Sequence, residues 1–225
     1  FYTAFTGSSS EKMDVEFGGA SADAFGRGRV SQVTTQGDLK QIDGELVLFI
    51  NKQELNSGSS VYSSDDSATT ISTVSAGDVV VHQTKQRYNY QTGKSQEIFM
   101  TLHDFNPIDD ATKRIGYFSS NYVAPFQNDF DGFFIEASNN THYFVTTKNG
   151  VETSRLIRSE WFDSLDGNGP SGLNFNTFEN NLILQFDFEW LGVGQVRFVQ
   201  ISRGKRNIVC AVDFRVSNCA NSRSM

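Results

Sequence analysis

Cysteine, proline and histidine are scarce in this 225-residue chain, and long hydrophobic runs are missing. Two cysteines, Cys210 and Cys219, are too few for a disulfide-built scaffold or a Cys-rich zinc centre. Cys210 falls on an alternating apolar segment, so a buried free thiol is expected there; a Cys210–Cys219 bridge is the alternative and needs a chain reversal near Ser217. His82, His103 and His142 stand far apart, with no cysteine or second histidine beside them, which speaks against a metal set or a nucleophile–base pair. No apolar run approaches the roughly 20 residues that span a bilayer, so no membrane insertion is expected. Basic residues number 19 against 26 acidic ones, for a net charge of −7. That balance argues against nucleic acid as a partner, because a polyanion binder needs a basic face that releases counterions. The densest basic cluster, Arg203, Lys205 and Arg206, brackets a glycine and reads as a solvated hairpin tip, with a phosphate or glycan contact as the alternative.

What the chain has in quantity is phenylalanine, 20 residues of it, arranged in alternation. In the stretch 182–216, Leu184, Phe186, Phe188 and Trp190 alternate with Gln185, Asp187 and Glu189. A period of two places the aromatics on one strand face and the acids on the other. Ile208, Cys210, Val212, Phe214 and Val216 repeat the pattern. Strands of this kind need a second sheet over their apolar face, which predicts an all-β, two-sheet antiparallel sandwich. The aromatics are then expected in the core, with Asp187 and Glu189 facing solvent.

Three segments follow. Residues 1–55 hold "AFGRGRVSQVTT" (24–35) and "GELVLFIN" (44–51) and read as an extended N-terminal β arm serving assembly. Val47, Leu48, Phe49 and Ile50 are its most apolar run and the candidate assembly contact. Residues 56–76 are rich in Ser, Thr, Gly and Asp and read as a linker, although Val61, Tyr62, Ile71 and Val74 would let parts of it pair as edge strands. Residues 77–225 carry dense strand signals separated by turn signals at Thr92-Gly93, Asn106-Pro107, Asn139-Asn140 and Asn149-Gly150, the last being the preferred two-residue hairpin turn. One helical turn capped by Ser159 is expected at "SEWFDSL" (159–165), followed by the loop "DGNGPSG" (166–172). The chain opens on Phe1 without a signal-peptide pattern, so a processed or partial polypeptide is expected, with a C-terminus truncated at Met225.

The motifs "AFGRGRVS", "RYNYQTGKSQEIFMT", "RIGYF", "DGFFIE", "LDGNGPSG" and "FDFEWLGVGQVRF", in that order, resemble a family of virion structural proteins of tailed aquatic phages and large algal DNA viruses. The resemblance runs from about Ala24 to Val199, and the chain departs from the pattern after Ile201, where "SRGKRNIVCAVDF" stands. The later motifs also look like a lectin or laminin-G jelly roll of the concanavalin kind. The resemblance implies a virion protein without enzymatic activity, working in a capsid, as a decoration protein, or in a tail fibre. Its partners would be itself, as a homotrimer or lattice, and other virion proteins.

No residue is assigned a catalytic role. Asp187 and Glu189 lie about 7 Å apart along their strand, near the spacing of a glycosidase pair, but Gln185 is an amide and no third acid completes the row. A polysaccharide depolymerase is thus the remote alternative. Asp129 and Asp131 in a D-x-D-G segment, with Asp166 beside Asp163 and Asn168, offer oxygens to calcium, yet Asp and Asn beside Gly are equally what turns require. No cofactor is expected beyond that calcium. Arg87, Tyr88 and Tyr90 suit stacking on a host surface glycan, against the reading that they close one edge of the sandwich. Asn139-Asn140-Thr141 fits a glycosylation sequon.

Overall fold

The computed structural model describes residues 34–88, 90–91, 93–119, 131–174, 181–189 and 194–213. Expectations for Val30, Val33, Asp129, Trp190, Phe214, Val216 and Cys219 lie outside these residues.

The alternating segments form two four-stranded antiparallel sheets. The first has the order β12-β11-β10-β5, built from Gln96–Leu102 (β5), Leu182–Phe188 (β10), Gln195–Ser202 (β11) and Lys205–Asp213 (β12). The second is a meander of Lys113–Ser119 (β6), Asp131–Ser138 (β7), Thr141–Lys148 (β8) and Val151–Ile157 (β9). The chain leaves the first sheet after β5, completes the second, and returns to set β10 against β5.

The inner faces meet through aromatic rings. Phe133 of β7 lies 5.4 Å from Phe186 and 5.1 Å from Phe188 of β10, centroid to centroid. Phe144 of β8 lies 6.4 Å from Phe186 and 6.3 Å from Phe198 of β11. Leu184, Phe186 and Phe188 are buried as the alternation predicts, and the sandwich is the fold. Cys210 is a free, buried thiol within this core.

Turn chemistry sets the hairpins. Asn139 and Asn140 (φ 47° and 57°) join β7 to β8, and Asn149 and Gly150 (φ 50° and 71°) join β8 to β9. Arg203 and Gly204 (φ 51° and 73°) join β11 to β12, so the "SRGKR" sequence is a tight hairpin tip. Paired positive φ values match the right-handed twist of the flanking strands.

Upstream of the sandwich, Ile50–Leu55 (β1) pairs with Val79–Thr84 (β4), and Ser59–Ser63 (β2) pairs with Ala68–Ser72 (β3). The Ser/Thr-rich stretch therefore holds a hairpin nested between β1 and β4. Its ends are tied by Asp78, whose carboxylate accepts the backbone N–H groups of Ser57 (2.9 Å), Val74 (2.8 Å) and Ser75 (2.7 Å). These bonds hold its pKa below the usual carboxylate value.

Three local expectations are corrected. Residues 44–49 form turns and not a strand: the N–H groups of Phe49 and Ile50 both donate to Leu46 O at 2.9 Å. The helical turn spans only Arg158–Glu160, a single 3₁₀ turn preceded by Ile157, and Glu160 in place of Ser159 reaches back to the Ile157 N–H (3.3 Å). Between β11 and β12 the register slips at Phe198 and Val199, leaving Val209 of β12 as an extra residue. A bulge turns two successive side chains to one side. Val209 and Cys210 are accordingly both buried, while Ile208, expected in the core, is 43% exposed.

Candidate functional site

The outer face of the β5-β10-β11-β12 sheet gathers the polar residues that alternate with the core aromatics. Strand register arranges it in rows. Glu97, Asp187, Arg197 and Ala211 form the first; Phe99, Gln185, Val199 and Ile208 the second; Thr101, Ile183, Ile201 and Arg206 the third. Asp187 is ion-paired with its cross-strand neighbour Arg197. Arg206 reaches from the third row to the first, placing Nη2 2.9 Å from Glu97 Oε1 and 3.9 Å from Asp187 Oδ2. Its side chain must therefore pass over the second row, which accounts for the burial of Gln185 and Val199. Gln185 donates to Glu97 Oε1 (3.2 Å), and its own Oε1 has no hydrogen-bond partner.

This overturns the expectation of a solvated acidic face. Gln185, Asp187 and Glu189 are all 0% exposed. Alternation placed them opposite the core, but at Asp187 the Arg197 and Arg206 side chains lie over that face and take the place of water. A carboxylate between two guanidinium groups accepts hydrogen bonds and is poorly suited to donate a proton. The row thus builds a charge-paired sheet surface.

The second sheet carries a matching network. Glu136, buried on β7, accepts from Arg114 Nε (2.8 Å), Arg155 Nη1 (2.9 Å) and Ser138 Oγ (2.9 Å). Burial alone would raise its pKa, but these three bonds outweigh it and hold the carboxyl below the usual value. Arg155 also lies 4.6 Å over the Tyr143 ring.

The cation candidates do not converge. Asp131 opens β7 beside the β8–β9 turn, where it accepts the Asn149 N–H. Asp166 follows the opposite end of β9 and accepts the Asn168 N–H (2.9 Å). Asp163 is buried, with its two oxygens taken by the N–H groups of Leu165 (3.0 Å) and Ser171 (2.9 Å). It is the post around which the 166–172 loop is wound. Among the described residues no group of three or more His, Cys, Asp or Glu side chains is placed to hold a metal.

Arg87 is exposed, and Tyr88 and Tyr90 are half-buried, in the β4–β5 connection. The Tyr88 carbonyl accepts the Tyr117 hydroxyl (2.7 Å), and Tyr90 stacks on Phe188 at 6.2 Å. Tyr90 thus packs against the aromatic core, at the edge of the sandwich. Val47, Leu48 and Phe49 are 61%, 79% and 52% exposed, whereas Ile50 is half-buried at the start of β1.

Sequence reading missed Glu97, Arg197, Arg206 and Glu136 as network members, and it missed His142. That imidazole is buried, hydrogen-bonded through Nε2 to Phe105 O (2.8 Å), and burial lowers its pKa to about 4. For Arg197 and Glu136 the available signal was a charged residue between two apolar ones on a strand, Val196 and Phe198 or Ile135 and Ala137.

No protein-family model, curated protein or solved structure matches this chain. The virion resemblance rests on the motifs quoted above. Among the described residues no helix is long and apolar enough to cross a membrane.

Proposed function

We propose that this chain is a non-enzymatic structural protein of a virus particle, assembling through contacts with its own copies. The sandwich is read as a jelly roll of the concanavalin or laminin-G kind, preceded by a segment that serves assembly. The observation that carries the reading is the turn Val47-Leu48-Phe49, three adjacent apolar side chains held in water ahead of β1. A protein gains by covering such a patch, and a repeating particle covers it with a neighbour. Supporting it are the order of the six motifs and the charge-paired state of Asp187 on β10.

Sedimentation velocity of the purified chain tests self-association, and counting the chain in purified particles tests its place. Hundreds of copies fit a shell or decoration protein; a few fit a fibre head. Strict monomers at all concentrations, together with absence from particles, defeat the proposal.

A second reading, a receptor- or glycan-binding fibre head, is favoured by Phe99, 57% exposed on the sheet face next to the charged row. An exposed aromatic beside hydrogen-bonding groups is what a sugar ring stacks on. Binding on a glycan array that is lost in Phe99→Ala would promote it.

A further inference from the structure

We infer that this chain associates head to tail, the Arg203–Lys205 hairpin tip of one copy docking on the Val47-Leu48-Phe49 turn of the next. The inference rests on the self-assembly reading and names the two surfaces that would carry it.

Each surface is incomplete alone and complements the other. The head is apolar and acidic: Val47, Leu48 and Phe49 are exposed, Ile42 is 68% exposed, and Asp43 and Glu45 lie just before them. Glu45 has only a long 3.8 Å contact with Lys52, and Asp43 has no ion pair among the described residues. Residues 38–85 hold seven acids and three lysines, one of which, Lys85, donates to the Val47 carbonyl (2.7 Å), so an excess of negative charge remains around the head. The tail is apolar and basic. Arg203 and Lys205 are exposed at the β11–β12 turn and have no ion pair among the described residues, while Arg206 is turned inward to Glu97. Ile183 and Ile208, 42% and 43% exposed, lie on the sheet face that ends at this tip. Residues 194–213 carry four bases and one acid.

Opposite charges flanking exposed apolar side chains steer two surfaces together and fix their register. Both halves are present on every copy, which points to a second copy as the occupant. Because the halves differ, the contact is heterologous: it propagates into a ring or an open array and does not stop at a symmetric pair.

The test uses two disabled variants of the full chain. Val47→Ser with Leu48→Ser spoils the head and leaves the tail; Arg203→Glu with Lys205→Glu spoils the tail and leaves the head. All four positions are exposed, three in turns and Lys205 at the first residue of β12, and circular dichroism verifies the fold. In sedimentation velocity the wild type is expected to form species beyond the dimer, weakening as salt rises. Each variant alone should associate roughly tenfold or more weakly. Mixed in equal amounts, the two should form a one-to-one dimer that grows no further, since one intact head meets one intact tail. A mixture that stays as weakly associated as its components overturns the inference. So does a tail variant that assembles like the wild type; that result leaves self-assembly standing and moves its surface elsewhere. A wild type that is monomeric at all concentrations defeats the inference; together with absence from particles it defeats the assembly reading as well.

Discussion

Asp187 and Arg197 sit directly opposite one another on β10 and β11 and form an ion pair whose carboxylate is fully buried, on the sheet face turned away from the aromatic core. The pair shows that β10 has one protected layer on each side, aromatic within and charged without. Charges withdrawn from water are costly to leave unpaired, which makes the outer layer a sensitive place to perturb.

Asp187→Asn should therefore destabilise the fold by about 3–5 kcal/mol, because Arg197 is left without its counter-charge. Replacing both residues, Asp187→Leu with Arg197→Met, should recover most of that loss. Urea unfolding of the three proteins measures it. An Asp187→Asn midpoint indistinguishable from wild type would show that the pair contributes little.

Phe186 touches Phe133, Phe144 and Phe198 and is completely buried. Truncating it to alanine removes the ring joining the two sheets and should cost about 3–5 kcal/mol, read from the same denaturation experiment. A loss under about 1 kcal/mol would mean the sheets are not packed through it.

Stability should fall as the solution is acidified from pH 6.5 toward 4. Unfolded His142 takes up a proton near the ordinary value of 6.5, but the buried imidazole does so only near 4. In that window the unfolded chain holds more protons, so the native state loses roughly 3 kcal/mol in going down through it. His82, also lowered by burial, acts in the same direction. Below this window protonation of Glu136 adds a further loss, since its carboxyl is stabilised as the anion. Unfolding free energies at pH 7 and 5 for wild type and His142→Gln test the point: the variant's curve should be flatter. Equal slopes would remove His142 from the account.

Polysaccharides of algal and bacterial origin should yield no reducing sugar on incubation with the protein, given that Asp187 lies between Arg197 and Arg206. Release that disappears in Asp187→Asn would reinstate the depolymerase.

The sandwich was legible because β10 writes its inner face in large aromatics at alternate positions, and the Asn-Asn and Asn-Gly turns announce their hairpins. The outer face was not. A period of two says that Gln185, Asp187 and Glu189 lie opposite Phe186; it cannot say that Arg206, from a strand two places away, reaches over to Asp187 and Glu97. Ile208 was misplaced for a related reason, since one extra residue at Val209 reverses the alternation without leaving a mark in composition. The nested β2–β3 hairpin was obscured because Ser and Thr serve linkers and edge strands alike, and Asp78, which ties its ends, lies outside it in sequence.

Cys210, sealed between the sheets, turns thiol chemistry into a clock for internal motion. With Cys219 replaced by serine, a thiol reagent reaches the remaining sulfur only when the two sheets part. Its labelling rate then reports how often the interior admits a small molecule, without an engineered label and without unfolding the protein by denaturant.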